Sequence, residues 1–391
     1  MSSLADHARL TDFDIRIQLD LERSLSIMRS QKQQVLDTYK YPVLTLLNEI
    51  TIDIFMHFMP IYPLCPPLTG LYSPSLSTQI CRQWREIALA TPALWRAISL
   101  SDSSIPFEQQ DNVVKMWLSR SWSYPLSLDF DEDSIDRMHA VEAMTALLPH
   151  CARWEYLNLR LSVSRLRMIQ GPTPLLRHLD LWLVDNDLIL TMVEFQAPLL
   201  RTAVLNDVTL QNLTLPWAQL TSLTLRRVYP CECVPVLQHT SSLIHCELGL
   251  VGDDDHTDIF PDIAFPSLQS LTLTGSSRVG HLPTLTLPTL HNLRIPESML
   301  APSCIDTLAS FLAKSHCQLQ ELCVVNRVSV PEDSYRAALP LVKISFHSQA
   351  LSVRFAINSL SSFGRLMAML GRICLFMSIE TTLLFCVDAT T

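Results

Sequence analysis

Residue types that can do chemistry are present in this chain, but their spacing assembles no reacting centre. Cys231, Glu232 and Cys233 stand close together, with His239 and His245 beyond them. Thiolates and imidazoles are zinc ligands, yet tetrahedral sites take ligand pairs at spacings this run does not follow. These cysteines are read as small buried hydrophobes. Two acidic runs, 129–133 and 253–258, carry the carboxylates that a hard divalent cation would need. The first stands where it would favour the start of a following helix. The second lacks the glycine and the alternating ligands of a calcium loop, so a solvated loop is expected there. With eight glycines in 391 residues, no phosphate-cradling loop is found, and no nucleophile elbow or paired-histidine metal helix appears. The expectation is a protein that is not an enzyme and carries no cofactor or metal.

Bulk properties narrow the class. Hydrophobic residues make up 48% against 17% charged, which predicts an extensive core. A net charge of −9 gives no electrostatic footprint for nucleic acid and disfavours an anionic membrane surface. The first residues carry no apolar run after basic ones, so no secretory signal is read, and the eleven cysteines are expected as reduced thiols in the cytoplasm or nucleus. The tail 366–387 is apolar, but Arg372 and Glu380 interrupt it before it reaches spanning length. It is read as a cap rather than a membrane segment.

The elements that would position any site begin with a helix over 4–40. Leu21, Leu25, Met28, Lys32, Val35 and Tyr39 alternate three and four apart, the seam of a short coiled coil interrupted by Lys32. The preferred reading packs this helix on the domain that follows; the alternative is self-association. Next, Leu46, Glu49, Ile50, Ile54 and Phe55 mark a short helix. Ile80, Trp84, Ile87 and Ala88 repeat at helical spacing and predict a single helix with Arg82, Arg85 and Glu86 outward, ended by Thr91 and Pro92. Prolines at 60, 63, 66, 67 and 74 predict a partly ordered surface insertion between the two.

This pair of segments resembles an F-box of the form common in mushroom-forming fungi. There the first helix begins with a Leu-Pro-x-Glu-Ile-like motif. The later helix contains Val-Cys-x-x-Trp followed by Thr-Pro-x-Leu-Trp, matched here by Ile80, Cys81, Trp84, Thr91, Pro92, Leu94 and Trp95. The upstream run with Tyr39, Pro42, Val43 and Leu44 fits the same pattern. Leu47 departs from it, standing where the family has a proline that preorganises the first turn. The resemblance covers residues 42–100 and implies docking to a Skp-type adaptor and, through it, a cullin–RING ubiquitin ligase. The docking candidates are Leu46, Ile50, Ile54, Phe55, Ile80, Cys81, Trp84, Leu94 and Trp95, with Trp84 and Trp95 equally readable as the domain's own core.

Residues 101–150 read as a connecting region with a helix over 108–121, a strand over 125–130 and a helix over 134–148. From residue 154 a Leu-x-x-Leu-x-Leu pattern recurs nine times. The copies begin at Trp154, Leu176, Leu200, Leu220, Leu243, Leu268, Leu290, Leu319 and Leu341, with steps of 20 to 29 residues, the range of leucine-rich repeats. Within each copy the last two apolar residues are two apart and share one face of a strand. One such strand cannot bury that face alone, whereas stacked parallel neighbours can. The buried asparagine of the usual signature is missing; Val184, Val208, Val228 and Val251 stand at its site. Only 303–315, with Ile305, Leu308, Ala309 and Leu312 on one face, is read as a full return helix.

The expected architecture is therefore an α+β or α/β solenoid. It has an N-terminal helix (1–41), a helical F-box-like domain (42–100), a connecting region (101–150), an irregular repeat array with parallel strands (151–350) and an apolar tail or cap (351–391). Strand alternation turns Tyr156, Asn158, Arg160, His178, Asp180, Trp182, Arg226, Glu247, Arg294 and Lys343 away from the core as candidate contacts to a protein client. The functional expectation is a ligase substrate adaptor. The alternative is a leucine-rich scaffold that binds a partner without ligase recruitment.

Overall fold

The computed structural model describes residues 2–38, 45–100, 107–134, 137–185, 192–252, 261–275, 282–327 and 329–347. The chain is α/β with a large parallel sheet and divides into two compact units, 1–149 and 150–391. The expectations for 39–44, 253–258 and the tail 351–391 fall outside the described residues.

The first unit opens with α1 (Ser2–Thr38), then α2 (Asn48–Phe58), α3 (Pro74–Ile80) and α4 (Arg82–Leu89). A 3-10 turn, Pro92–Trp95, leads into β1 (Ala97–Ser99). Helix α5 (Phe107–Arg120), strand β2 (Leu126–Asp131) and helix α6 (Arg137–Leu147) complete it, with β1 and β2 paired in parallel. Three expectations are corrected here. Residues 16–34 of α1 are exposed throughout, so this stretch does not pack on the following helices. The single helix read through Ile80 is two. Cys81 is extended (φ −153°, ψ 168°) and its Sγ accepts from the Trp84 N–H at 3.4 Å. A side-chain acceptor at that position satisfies an orphan donor and so begins a new helix instead of prolonging the old one.

The proline-rich 60–74 segment, expected as a surface insertion, is folded in. Leu68 is fully buried, and the Ser127 Oγ donates to the Pro63 carbonyl at 2.6 Å. Ser73 donates to the Leu68 carbonyl and accepts from Ser75 N–H to cap α3. Prolines that forbid a helix also restrict the unfolded chain, which lowers the entropy lost on ordering such a segment.

The second unit carries the repeats. Its strands are β3 (Trp154–Leu161), β4 (His178–Leu183), β5 (Thr202–Asn206), β6 (Ser222–Val228), β7 (His245–Leu250), β8 (Ser270–Gly275), β9 (Asn292–Pro296), β10 (Glu321–Val325) and β11 (Lys343–His347). They lie side by side in chain order, every pair parallel. The register joins the second apolar position of every copy into one row: Leu157, Leu179, Ala203, Leu223, Cys246, Leu271, Leu293, Leu322 and Ile344. A second row runs through Leu159, Leu181, Leu205, Leu225, Leu248 and Leu273. These side chains are at most 4% exposed from β3 to β10. Burying each large one contributes roughly 1.5–3 kcal/mol.

Departures from the expected repeat have local causes. Leu341, which opens the ninth copy, is 96% exposed, and Ile344 and Phe346 on the terminal strand are only half-buried. The asparagine read as absent is supplied once, two positions earlier. Asn206 is 3% exposed, donates to the Leu183 carbonyl at 2.9 Å and accepts from the Leu183 N–H at 3.2 Å. Glu297, also 3% exposed, accepts from the Ser329 and Val330 N–H groups and from the Tyr335 hydroxyl, so its carboxylate ties a later loop to β9. The return helix Cys304–Ser315 buries Cys304, Leu308, Phe311 and Ser315, a face rotated from the one expected. Another linker helix, Pro230–Gln238, forms despite Pro235, since Pro230 occupies the first turn and Glu232 accepts from the Tyr229 N–H.

Leu223→Ala and Leu271→Ala are expected to cost about 2–5 kcal/mol each, since both are fully enclosed. Ala at the neighbouring, half-exposed Thr224 or Thr272 should leave the denaturant midpoint nearly unchanged. The reverse ordering in urea melts would mean a register shifted by one residue.

Candidate interaction surfaces

On the first unit the apolar candidates divide into two groups. Leu47 (70% exposed) and Ile50 (46%) are open to solvent, with Leu46 and Ile54 half-buried beside them at helical spacing. The Leu47 carbonyl accepts from the Thr51 N–H at 3.1 Å, so α2 starts normally although proline is missing. Phe55, Leu94 and Trp95 are core instead of docking surface. Phe55 is 3% exposed and meets Trp84 edge-on, with ring centroids 5.1 Å apart. Trp95 is fully buried, donates from Nε1 to the Ala88 carbonyl at 2.9 Å and stands perpendicular to Trp117 at 5.4 Å. Ile80, Cys81 and Trp84 are half-buried. Leu47 itself was missed as a contact, as were Ile61, Leu64 and Leu71, all at least 60% exposed. Apolar residues left in solvent by an otherwise ordered segment are the signal that could have found them.

Cysteine chemistry is muted. Burial pushes the Cys65 and Cys233 thiols up to about 12, and Cys246 rises for the same reason. Thiolate is the reactive form, so these groups are inert at neutral pH. Cys231 is exposed. His239, the C-cap of helix Pro230–Gln238, lies with its ring nitrogen against the Pro235 carbonyl at 2.7 Å. Among the described residues no group of three or more His, Cys, Asp or Glu side chains is gathered to hold a metal ion.

On the second unit the face of the sheet opposite the leucine rows carries the client candidates. Tyr156 and His178 are in register on β3 and β4, ring centroids 6.3 Å apart. Asn158 pairs with Asp180, and Arg160 with Trp182, in the same ladder. Asp180 accepts from the Arg226 Nη2 at 3.5 Å across β5, and Val204, in register with Asp180 on that strand, is only 9% exposed. Glu247 stands between Thr224 and Thr272. Arg294 is half-buried in the same row as Thr272, and Lys343 pairs with Glu321 at 2.7 Å near the end of the sheet. Arg227 was missed. Strict alternation would turn it into the core, but it sits in a bulge and is exposed.

Compared with protein-family models the chain matches none, and no curated protein is matched by it either. Among the described residues no helix is long and apolar enough to cross a membrane.

His178 titrates below the usual 6.5, because partial burial disfavours its charged form; Asp180 acts in the opposite direction. Above pH 6.5 the ring is neutral in both folded and unfolded chains. As pH falls below that value the unfolded chain takes the proton first, so stability is lost until the folded-state value is passed. His178→Gln should therefore lose less stability than wild type between neutral and mildly acidic pH. Urea melts of both proteins across that range check this, and parallel losses would contradict it.

Proposed function

We propose that this chain is a substrate-recognition adaptor of a Skp–cullin–F-box-type ubiquitin ligase. Its helical unit would engage a Skp-type adaptor while its repeat sheet holds a protein client. The observation that carries the reading is the stripe of exposed Leu47 and Ile50 with half-buried Ile54, on a unit whose neighbouring Phe55, Leu94 and Trp95 already form a closed core. An apolar helix face with no partner in its own unit suits packing into a partner's groove. The outer sheet face mixes Arg160, Asp180, Arg226 and Glu247 with Tyr156 and Trp182, a composition that suits protein recognition. A cytoplasmic or nuclear setting fits that role.

The second reading is a scaffold without ligase recruitment, assembled through α1. It is favoured by Ile17, Leu21, Leu25 and Met28, which are 41–61% exposed along that helix.

Co-expression with a Skp-type adaptor separates the two. Replacing Ile50 and Ile54 with Asp should weaken the complex by at least about thirtyfold, as loss of an interface anchor worth about 2 kcal/mol does. The urea transition of the repeats should not move. Unchanged co-purification would remove this stripe from the docking surface, and a wild type that never co-purifies would favour the scaffold.

A further inference from the structure

The ladder between β6 and β7 carries a register shift. Between Leu225, paired with Leu248, and Val228, paired with Leu250, two residues of β6 oppose the single Gly249 of β7. The extra residue makes a β-bulge, and Arg227 within it has φ +56°. A side chain larger than glycine rarely holds that conformation without cost. The bulge also leaves little room at Gly249, where an added Cβ would stand 3.3 Å from the Arg227 nitrogen and from the Leu225 oxygen. Bulge, strained arginine and glycine are thus one device, and it opens a cavity of about 290 Å³ between β6, β7 and β8.

The cavity's chemistry is polarised. Arg226 and Arg227 line it from β6, Glu247 from β7 and Thr274 from β8. Arg226 is engaged by Asp180 at 3.5 Å. Among the described residues neither the Arg227 guanidinium nor the Glu247 carboxylate has a hydrogen-bond or ion-pair partner. Bulges re-aim side chains and gather at sites of function, and an outlier of this kind asks for a ligand that uses it. The cavity opens on the outer sheet face beside Arg226 and Glu247, where one side chain of a larger partner lying across the sheet can enter it.

We propose that the bulge cavity receives one anionic side-chain group, a carboxylate or a phosphoryl, of a protein segment lying across the outer sheet face. The guanidinium of Arg227 holds two of its oxygens in a fork. Glu247 faces a donor of the same segment and repels a second anion beside the first. The proposal rests on the reading that the sheet recruits a client, and it names the chemistry of what is held.

The test uses the full chain and three end-blocked pentapeptides, Ala-Thr-Xaa-Thr-Ala, with glutamate, phosphoserine or glutamine at the centre. Phenylglyoxal labelling of Arg227, mapped by mass spectrometry, should fall with rising concentration of an anionic peptide and not with the glutamine one. Which anionic peptide protects identifies a carboxylate or a phosphoryl as the source. Equal protection by glutamine, or none by either anion, would overturn the proposal. Arg227→Gly should raise the melting temperature, because glycine adopts the positive φ freely. It should also weaken binding of the dye-labelled protecting peptide by about tenfold or more, as loss of a charge-assisted hydrogen bond does. A lower melting temperature would make Arg227 a structural residue and likewise overturn it. No adaptor is present, so failed protection leaves co-purification untouched, and failed co-purification leaves protection untouched.

Discussion

The constraint on which the second unit depends is that a single short strand cannot bury its own leucines. Each of β4 to β10 has two apolar residues on one face, and only the strands on either side can cover them. Parallel pairing in strict register follows, since a slip of one residue would bring Asp180, Thr224 or Glu247 to the core face. The last described strand shows what the constraint means where only one neighbour is described: Ile344 and Phe346 are half-open where their counterparts on β10 are buried. Buried polar groups serve the same end. Asn206 and Glu297 close the turns by satisfying backbone donors and acceptors that the irregular linkers would otherwise orphan.

Because the core needs only alternate residues, the opposite face of the sheet is free to carry recognition chemistry. Its aromatic and charged residues are positioned by the ladder itself, which fixes Tyr156 beside His178 and Arg160 beside Trp182 without loops. At Arg226 and Arg227 the regular ladder is given up in a bulge, and the outer face has a cavity there. In the first unit the same division holds on a helix. Phe55 is inward and meets Trp84 edge-on, while Ile50 is left in solvent.

Much of this was legible in the sequence. The period of the leucine copies anticipated β3 to β11 and the paired apolar positions, because burial on one face leaves a period-two mark within a fixed longer repeat. Alternation likewise placed Asp180, Trp182 and Glu247 on the outer face. What was not legible depended on contacts remote in sequence or on single backbone choices. Whether Trp95 was surface or core was decided by Trp117 and the Ala88 carbonyl, which no local pattern reveals. The folding-in of 60–74 involves Ser127, 64 residues on from Pro63. Cys81 broke a helix through its side-chain cap, and Arg227 left the alternation through one positive φ. In both cases a single residue overrode a pattern that was otherwise sound.

The claim that the leucine stack positions everything else is tested most directly by hydrogen exchange followed by mass spectrometry on the intact chain. The account predicts that peptides from β5, β6, β7 and β8 exchange slowest and together, since each needs its neighbours to open. Strand β11, with one strand neighbour among the described residues and half-buried Ile344 and Phe346, should exchange faster. Rapid or independent exchange in β6 and β7, or a β11 as protected as they are, would contradict it.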